Sequence, residues 1–467
     1  MISFEQDASP KSVRAITVIA FLAFVPLLFY ATIQSVTLLT RAFGKPANII
    51  VHASIPLEPI SSDFYHAFAQ GGEEGENMLD AVTSETKALS PKIIRIDHIY
   101  DHFDVVKKNG SNLEYNWGKL DQIVTAILST GAKPMFALSY MPSAIAKDGV
   151  IINAPNDWNE WAQVVQKTVE RYSGRGSKNL SGIYYEVWNE PDLAQFGSWK
   201  MGGEKSYLTL YRYAAIGASN AQNVNGYYLG GPSTTGLYKN WILGLTNSGL
   251  RVDFYSWHTY QADPLKYIED QRNFTSWLID RPTAMIKPTL ITEFGITGAK
   301  SKLYDSTYAV AHTAAVIRQL ISGGPKYLFS FELKDGPGQQ SGDGWGLVTH
   351  QDNGKRKKAR YSIYSFLDQM VGTRLQVTGE GSWVTGFASK QEKSIRLLLV
   401  NFVKGGSHSE EVPVTFTDLE PGNYTYKERV LFGRNVSSPV TVGADGVLSK
   451  KIFLAMQNVA ILELVRE

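Results

Sequence analysis

The chain has 467 residues, 43% of them hydrophobic and 19% charged, which is enough apolar material for a large core and too much chain for a single compact one. Lys and Arg number 46 against 44 Asp and Glu, a formal net charge of +2, so the overall balance gives no reason to expect a nucleic-acid partner. The absence of cysteine removes disulfides, thiolate metal sites and cysteine nucleophiles, while 10 Trp and 24 Tyr suit a ligand with flat apolar faces, a sugar among them.

A short tail, 1–14, precedes residues 15–40, which contain no charged side chain. A helix of that length reaches about 39 Å, more than the roughly 30 Å of a bilayer core, so the stretch predicts a transmembrane anchor. Lys11, Arg14, Arg41 and Lys45 bracket it as membrane flanks do. A cleaved signal peptide is the rival, but the apolar run is long for one and no small-residue cleavage site follows.

Beyond residue 45, short apolar runs alternate with helical patterns. The runs at 48–53, 92–97, 133–140, 182–188, 227–231, 253–258, 289–294 and 326–331 are rich in β-branched or aromatic residues and bounded by turn signals, as buried strands are. Amphipathic stretches at 117–130, 158–172, 207–220 and 306–321 lie between them, and a last helix is expected at 359–370. This α/β alternation predicts a (β/α)8 TIM barrel over 46–372. A doubly wound open sheet is the alternative, but no Gly-rich phosphate loop follows the first strand. From residue 373 to 467 the helical period disappears and short alternating runs are separated by turns such as Pro421-Gly422-Asn423, which predicts an all-β, sandwich-like second domain.

Barrel enzymes place their chemistry at the C-terminal ends of the strands. Here the fourth strand runs out as Glu186-Val187-Trp188-Asn189-Glu190-Pro191 and the seventh as Thr292-Glu293-Phe294-Gly295. Each puts a carboxylate where an apolar strand opens into a loop. On these motifs, most of residues 48–370 resembles the retaining glycoside hydrolases of clan A, and within the clan family 39, its β-xylosidase-like branch.

The resemblance implies Glu190 as general acid/base, Glu293 as nucleophile and Asn189 as a donor to the sugar 2-hydroxyl. It also implies Tyr260 as a hydrogen-bond partner of the nucleophile and His258 as a substrate or network contact, with a packed core histidine as the alternative. Arg95, at the end of the second strand, is a second candidate donor for the ionised nucleophile, with barrel packing as the alternative for it and for Tyr260, and Glu186 is expected to pair with Arg95 inside the barrel. In one place the sequence departs from the clan. A tryptophan commonly ends the eighth strand as a floor under the sugar, whereas here Phe331 stands there, or Trp345 reaches over from the next loop, and Glu332 has no assigned role. Lys355, Arg356, Lys357, Lys358 and Arg360 are expected in a solvated turn. No metal and no cofactor are expected. The resulting expectation is a retaining β-glycosidase held at the membrane, its catalytic domain outside the cytoplasm, acting on a cell-surface or exported polysaccharide or oligosaccharide. An endo-glucanase, mannanase or transglycosylase of the same clan, or a non-catalytic carbohydrate-binding barrel, are the alternatives.

Overall fold

The computed structural model describes residues 44–75, 77–338, 343–405 and 407–467. The expected tail and transmembrane anchor, 1–14 and 15–40, lie outside these, and among the described residues no helix is long and apolar enough to cross a membrane.

The first strand, β1 (Ile49–Pro59), leads into the barrel strands β2 (Ala67–Gln70) and β3 (Ile93–Ile96). A hairpin, β4 (Val106–Asn109) and β5 (Asn112–Tyr115), projects from the loop after β3. The barrel continues with β6 (Lys133–Leu138), β7 (Ile183–Val187), β8 (Tyr227–Thr234), β9 (Phe254–Tyr260), β10 (Thr289–Gly295) and β11 (Tyr327–Phe331). These eight strands are all parallel and close in the order β10-β11-β2-β3-β6-β7-β8-β9. Seven of them fall on the predicted runs.

The eighth does not. Residues 48–53 were expected to open the barrel, but β1 pairs instead with the C-terminal domain, antiparallel to β12 (Thr373–Thr378) and parallel to β15 (Glu410–Thr417). The physical reason lies in the pattern. Ile49, Val51 and Ala53 are buried while Ile50 and His52 are only half-buried, the period-2 signature of a strand covered on one face. Barrel strands are covered on both: β2 and β3 are buried at every position. The true first strand, Ala67-Phe68-Ala69-Gln70, carries two alanines, poor strand formers that give little signal. Inside the barrel their small size is the point. Ala67 and Ala69 sit among Ile93, Met135, Tyr184, Phe254, Leu290 and Phe329, leaving the space that the bulky rings fill.

Helices cover the outside. Helix Trp158–Ser173 starts at Asp157, whose side chain accepts from the Asn159 amide, and buries Trp161, Val164, Val165, Val169 and Tyr172 at helical spacing. Helix Thr307–Leu320 is apolar on nearly every side because it lies between the barrel and the second domain. There, Phe402 packs against the rings of Tyr308 and His312, at 5.1 and 5.6 Å, and Arg318 binds Glu380.

The second domain adds β13 (Val384–Gln391), β14 (Ser394–Asn401), β16 (Gly422–Val430), β17 (Asn435–Val442), β18 (Leu448–Leu454) and β19 (Asn458–Arg466). With β1, β12 and β15 they form a nine-stranded order, β17-β16-β19-β14-β13-β12-β1-β15-β18. The sheet curls over one core, which Leu397 and Leu399 of β14 share with Val412 and Val414 of β15, as the two faces of a sandwich do. The basic run before the last helix is only partly solvated. Lys355, Arg356 and Lys357 are exposed, but Lys358 is buried with its ammonium 2.9 Å from both oxygens of Asp335, and buried Arg360 donates to the Phe331 carbonyl and to Thr313.

Candidate active site

The C-terminal mouth of the barrel holds a cavity of about 440 Å³ lined by Glu190, Glu293, Asn189, Tyr260, Phe331 and Trp345, among others. Beneath it, fully buried Arg95 organises the polar groups. Its Nε donates to Glu186 at 2.7 Å, Nη1 to Glu293 Oε1 at 3.0 Å, and Nη2 to Asn189 Oδ1 at 2.7 Å. Burial works against the guanidinium charge, but Glu186, then Glu293 and Asp97, outweigh it and hold the group protonated. Arginine only donates, so its bond to Asn189 fixes which end of that amide is oxygen. Asn189 Nδ2 therefore donates to the Tyr140 hydroxyl at 2.9 Å and keeps one hydrogen for the pocket.

Glu293 sits on β10 where the register slips between Ile291 and Glu293 relative to β9, a bulge that turns its side chain into the mouth. Besides Arg95 it accepts from the Tyr260 hydroxyl at 2.7 Å. Glu190 follows β7 in left-handed backbone, φ 44°, held there by its own amide donating to the Ser233 carbonyl at 2.9 Å. Trp188, also left-handed at φ 75°, packs on Trp161 and Trp199 below it. His258 Nδ1 lies 2.8 Å from Glu190 Oε1 and 3.5 Å from Glu293 Oε2, and Nε2 meets Ser233 Oγ at 3.2 Å. One oxygen of each carboxylate and a His258 ring nitrogen all fall within 4.8 Å of one another.

Burial, then the charges of Glu190 and Asp97, push Glu293 up to about 7 against the pull of His258 and Arg95. Burial would depress His258, but the charge of Glu293 and the bond to Glu190 raise it. Arg95 and Tyr260 donate to Glu293 from one side, and His258 is hydrogen-bonded to Glu190 on the other.

A stability consequence follows from the sign. A carboxyl whose folded value, about 7, exceeds its ordinary 4.5 contributes stability that is full below pH 4.5 and is lost as pH rises through 7. The melting temperature of wild type should therefore fall relative to Glu293→Gln between pH 4.5 and 7 and run parallel to it above. Parallel curves across the whole range, measured by scanning calorimetry, would reject the assignment.

Each residue expected at the site is there. Arg95, Asn189, Glu190, His258, Tyr260 and Glu293 form one hydrogen-bonded group, Glu186 pairs with Arg95, and Phe331 and Trp345 meet edge-on at 5.7 Å on the cavity wall. Tyr140, Ser233, Asp97, His98 and Glu73 went unread. Tyr140 and Asp97 stand at or just past the ends of predicted strands, the same signal that picked out the two glutamates. No metal ligands were expected, yet His98 and His102 have the H-x₃-H spacing, and with Asp101 they bring ligand atoms within 4.8 Å of one another. His98 Nδ1 is already bonded to Asp101 Oδ2 at 2.7 Å, and the two imidazoles stack at 4.2 Å. Glu332 is fully buried behind the wall, where Gln70 Nε2 donates to it at 3.0 Å.

A barrel whose fourth and seventh strands end in facing carboxylates, one held by donors and one beside a histidine, is that of a glycoside hydrolase acting on O-glycosyl bonds. Residues 69–331 match the model of glycosyl hydrolases family 39, and the chain belongs to that family, in clan A. It is 25% identical to the β-xylosidase of Caldicellulosiruptor saccharolyticus over 71% of this chain and 73% of that one. Two crystal structures share the fold. The GH39 enzyme from Xanthomonas axonopodis pv. citri superposes with a TM-score of 0.74 at 19% identity, covering 91% of this chain and 98% of that one. A monomeric β-xylosidase from Caulobacter crescentus CB15 does so with 0.73 at 18%, covering 90% and 99%.

Proposed function

We propose that the protein is a retaining β-glycosidase working by double displacement, with Glu293 as nucleophile and Glu190 as acid/base. The observation that carries this is the spacing of the two carboxylates, whose oxygens approach within 4.8 Å. Retaining enzymes need about 5–5.5 Å, whereas inverting ones keep about 6.5–9.5 Å to admit a water. In the first step a Glu293 oxygen bonds to the anomeric carbon while the glycosidic bond breaks and Glu190 gives its proton to the departing oxygen. In the second, Glu190 takes a proton from water, which displaces Glu293 from the same carbon. Arg95 and Tyr260 donate to Glu293 and aim it, and the free hydrogen of Asn189 is placed for the 2-hydroxyl, a bond that tightens as charge develops on the ring.

The β-xylosidase relatives favour an aryl β-xyloside as first substrate. Proton NMR of the first-formed sugar decides the stereochemistry: the β anomer is expected, and an initial α anomer would refute double displacement. The uncharged run at 15–40 supports a membrane-held enzyme facing an exported or surface polysaccharide. A C-terminal alkaline phosphatase fusion should then be active, and a silent one, with a cytoplasmic reporter active, would refute the location.

A further inference from the structure

The lining of the cavity is acidic beyond the two catalytic carboxylates. Among the described residues that line the cavity there is no lysine or arginine, while Asp97 and Glu73 add two carboxyls to Glu190 and Glu293. Arg95, beneath the floor, is spent on Glu186, Glu293 and Asn189. Lys300 stands outside the lining, its ammonium 5.6 Å from the centre of the Trp345 ring. Among the described residues, His98 is the one candidate cation on the wall. Burial would depress it, but its bond to Asp101 and the charges of Asp97 and Asp101 raise it, so its charge is balanced locally by Asp101.

Asp97 is the telling residue. It stands one position past the end of β3, is 4% exposed, and its Oδ1 is wholly buried with no hydrogen-bond partner among the described residues. A desolvated carboxylate without a donor is costly, and proteins keep such groups where a ligand supplies the missing partner. Glu73 differs, being hydrogen-bonded to Glu332 behind the wall. That acid pair adds negative charge to the same side of the cavity and supplies no cation.

We infer that Asp97 sets the specificity of this pocket: it accepts a hydroxyl hydrogen from the bound sugar ring, and together with Glu73 it confines the pocket to uncharged sugars and turns away uronic acids. A sugar hydroxyl offers the donor that Asp97 lacks. A sugar carboxylate offers none and would sit among like charges in a cavity poorly screened by water, where no lysine or arginine is available to receive it. This rests on the glycosidase reading, but it concerns which ring is bound and not how the bond is cleaved.

The test compares 4-nitrophenyl β-D-xyloside and β-D-glucoside with 4-nitrophenyl β-D-glucuronide on the full chain, as wild type and as the isosteric Asp97→Asn. Wild type should favour an uncharged glycoside over the glucuronide by at least about 10²-fold in kcat/KM. Asp97→Asn should lose about tenfold or more on the uncharged substrate, mainly through KM, and should narrow the ratio to the glucuronide at least tenfold. A glucuronide turned over as fast as the neutral glycosides, or a ratio that Asp97→Asn leaves unmoved, would overturn the proposal. Calorimetry on Glu190→Gln with xylobiose, cellobiose and an aldobiouronic acid separates this from the hydrolase reading. Selective binding of the neutral disaccharides without any turnover by wild type would refute the hydrolase and keep the pocket's preference. Equal binding of the aldobiouronic acid, or no binding of the neutral sugars, would refute the preference itself.

Discussion

Glu293→Gly should lose at least about 10²-fold in kcat/KM on an activated aryl β-glycoside, and azide should restore turnover with the α-glycosyl azide as product. Without the carboxylate no covalent intermediate forms, and the anion enters the vacated space and displaces the leaving group once, inverting the centre. The space suits an anion because Arg95 Nη1 and the Tyr260 hydroxyl, now without their acceptor, point into it. Glu190→Ala should behave oppositely. Glu293 can still be glycosylated when the leaving group is good, but water is no longer activated, so azide intercepts the intermediate and gives the β-azide with net retention. The two products separate the roles of two residues that share one hydrogen-bonded cluster through His258. The same anomer from both variants would mean that the two-glutamate mechanism is wrong.

The second large effect is on stability. Arg95→Met should destabilise the barrel by about 3–5 kcal/mol, because it leaves Glu186, 0% exposed, and Glu293, 5% exposed, without their shared cation. On a domain of this size that corresponds to a fall in melting temperature on the order of 10 °C. Adding Glu186→Leu should recover part of the loss, since an apolar replacement removes the stranded charge together with its burial penalty. Activity should not return with it, as Glu293 and Asn189 would still lack the donor that aims them. A single variant as stable as wild type in denaturant titration would refute the role of Arg95 as their shared counter-charge.

The residues that the sequence revealed and those it hid differ in kind. Glu190 and Glu293 were legible because an acidic residue at the end of an apolar strand has few explanations, and a parallel barrel supplies the place for it. Arg95 and Tyr260 followed, since an ionised carboxylate in such a place needs donors. Tyr140 closes the predicted run 133–140, but a tyrosine there names no chemistry, and Ser233 lies beyond its predicted run, 227–231. One receives the Asn189 amide and the other bridges His258 and Glu190, and neither task leaves a trace in residue type. Asp97 carries the strand-end signal too, but the chemistry asks for two carboxyls and the glutamates supply both, so its part in the pocket shows only in the fold, where its Oδ1 is buried without a partner among the described residues. In the fold, apolar runs identified seven strands, and the eighth failed because two alanines are silent in sequence while a one-sided strand nearby read as two-sided.

The placement of β1 also fixes an order of events in time. Ile49 pairs with Val414 of β15, so a strand made at the start of the chain waits for a partner made about 360 residues later. At about 5–20 residues per second, synthesis keeps it waiting roughly 20–70 s. All eight barrel strands emerge within that interval, so the catalytic unit can close while its neighbour has only β1 of its nine strands. Until β12 and β15 arrive on its two sides, Ile49, Val51 and Ala53 remain an unpaired apolar edge, the kind that recruits other nascent chains. The small domain, more than the barrel, is where slow or crowded synthesis would be felt.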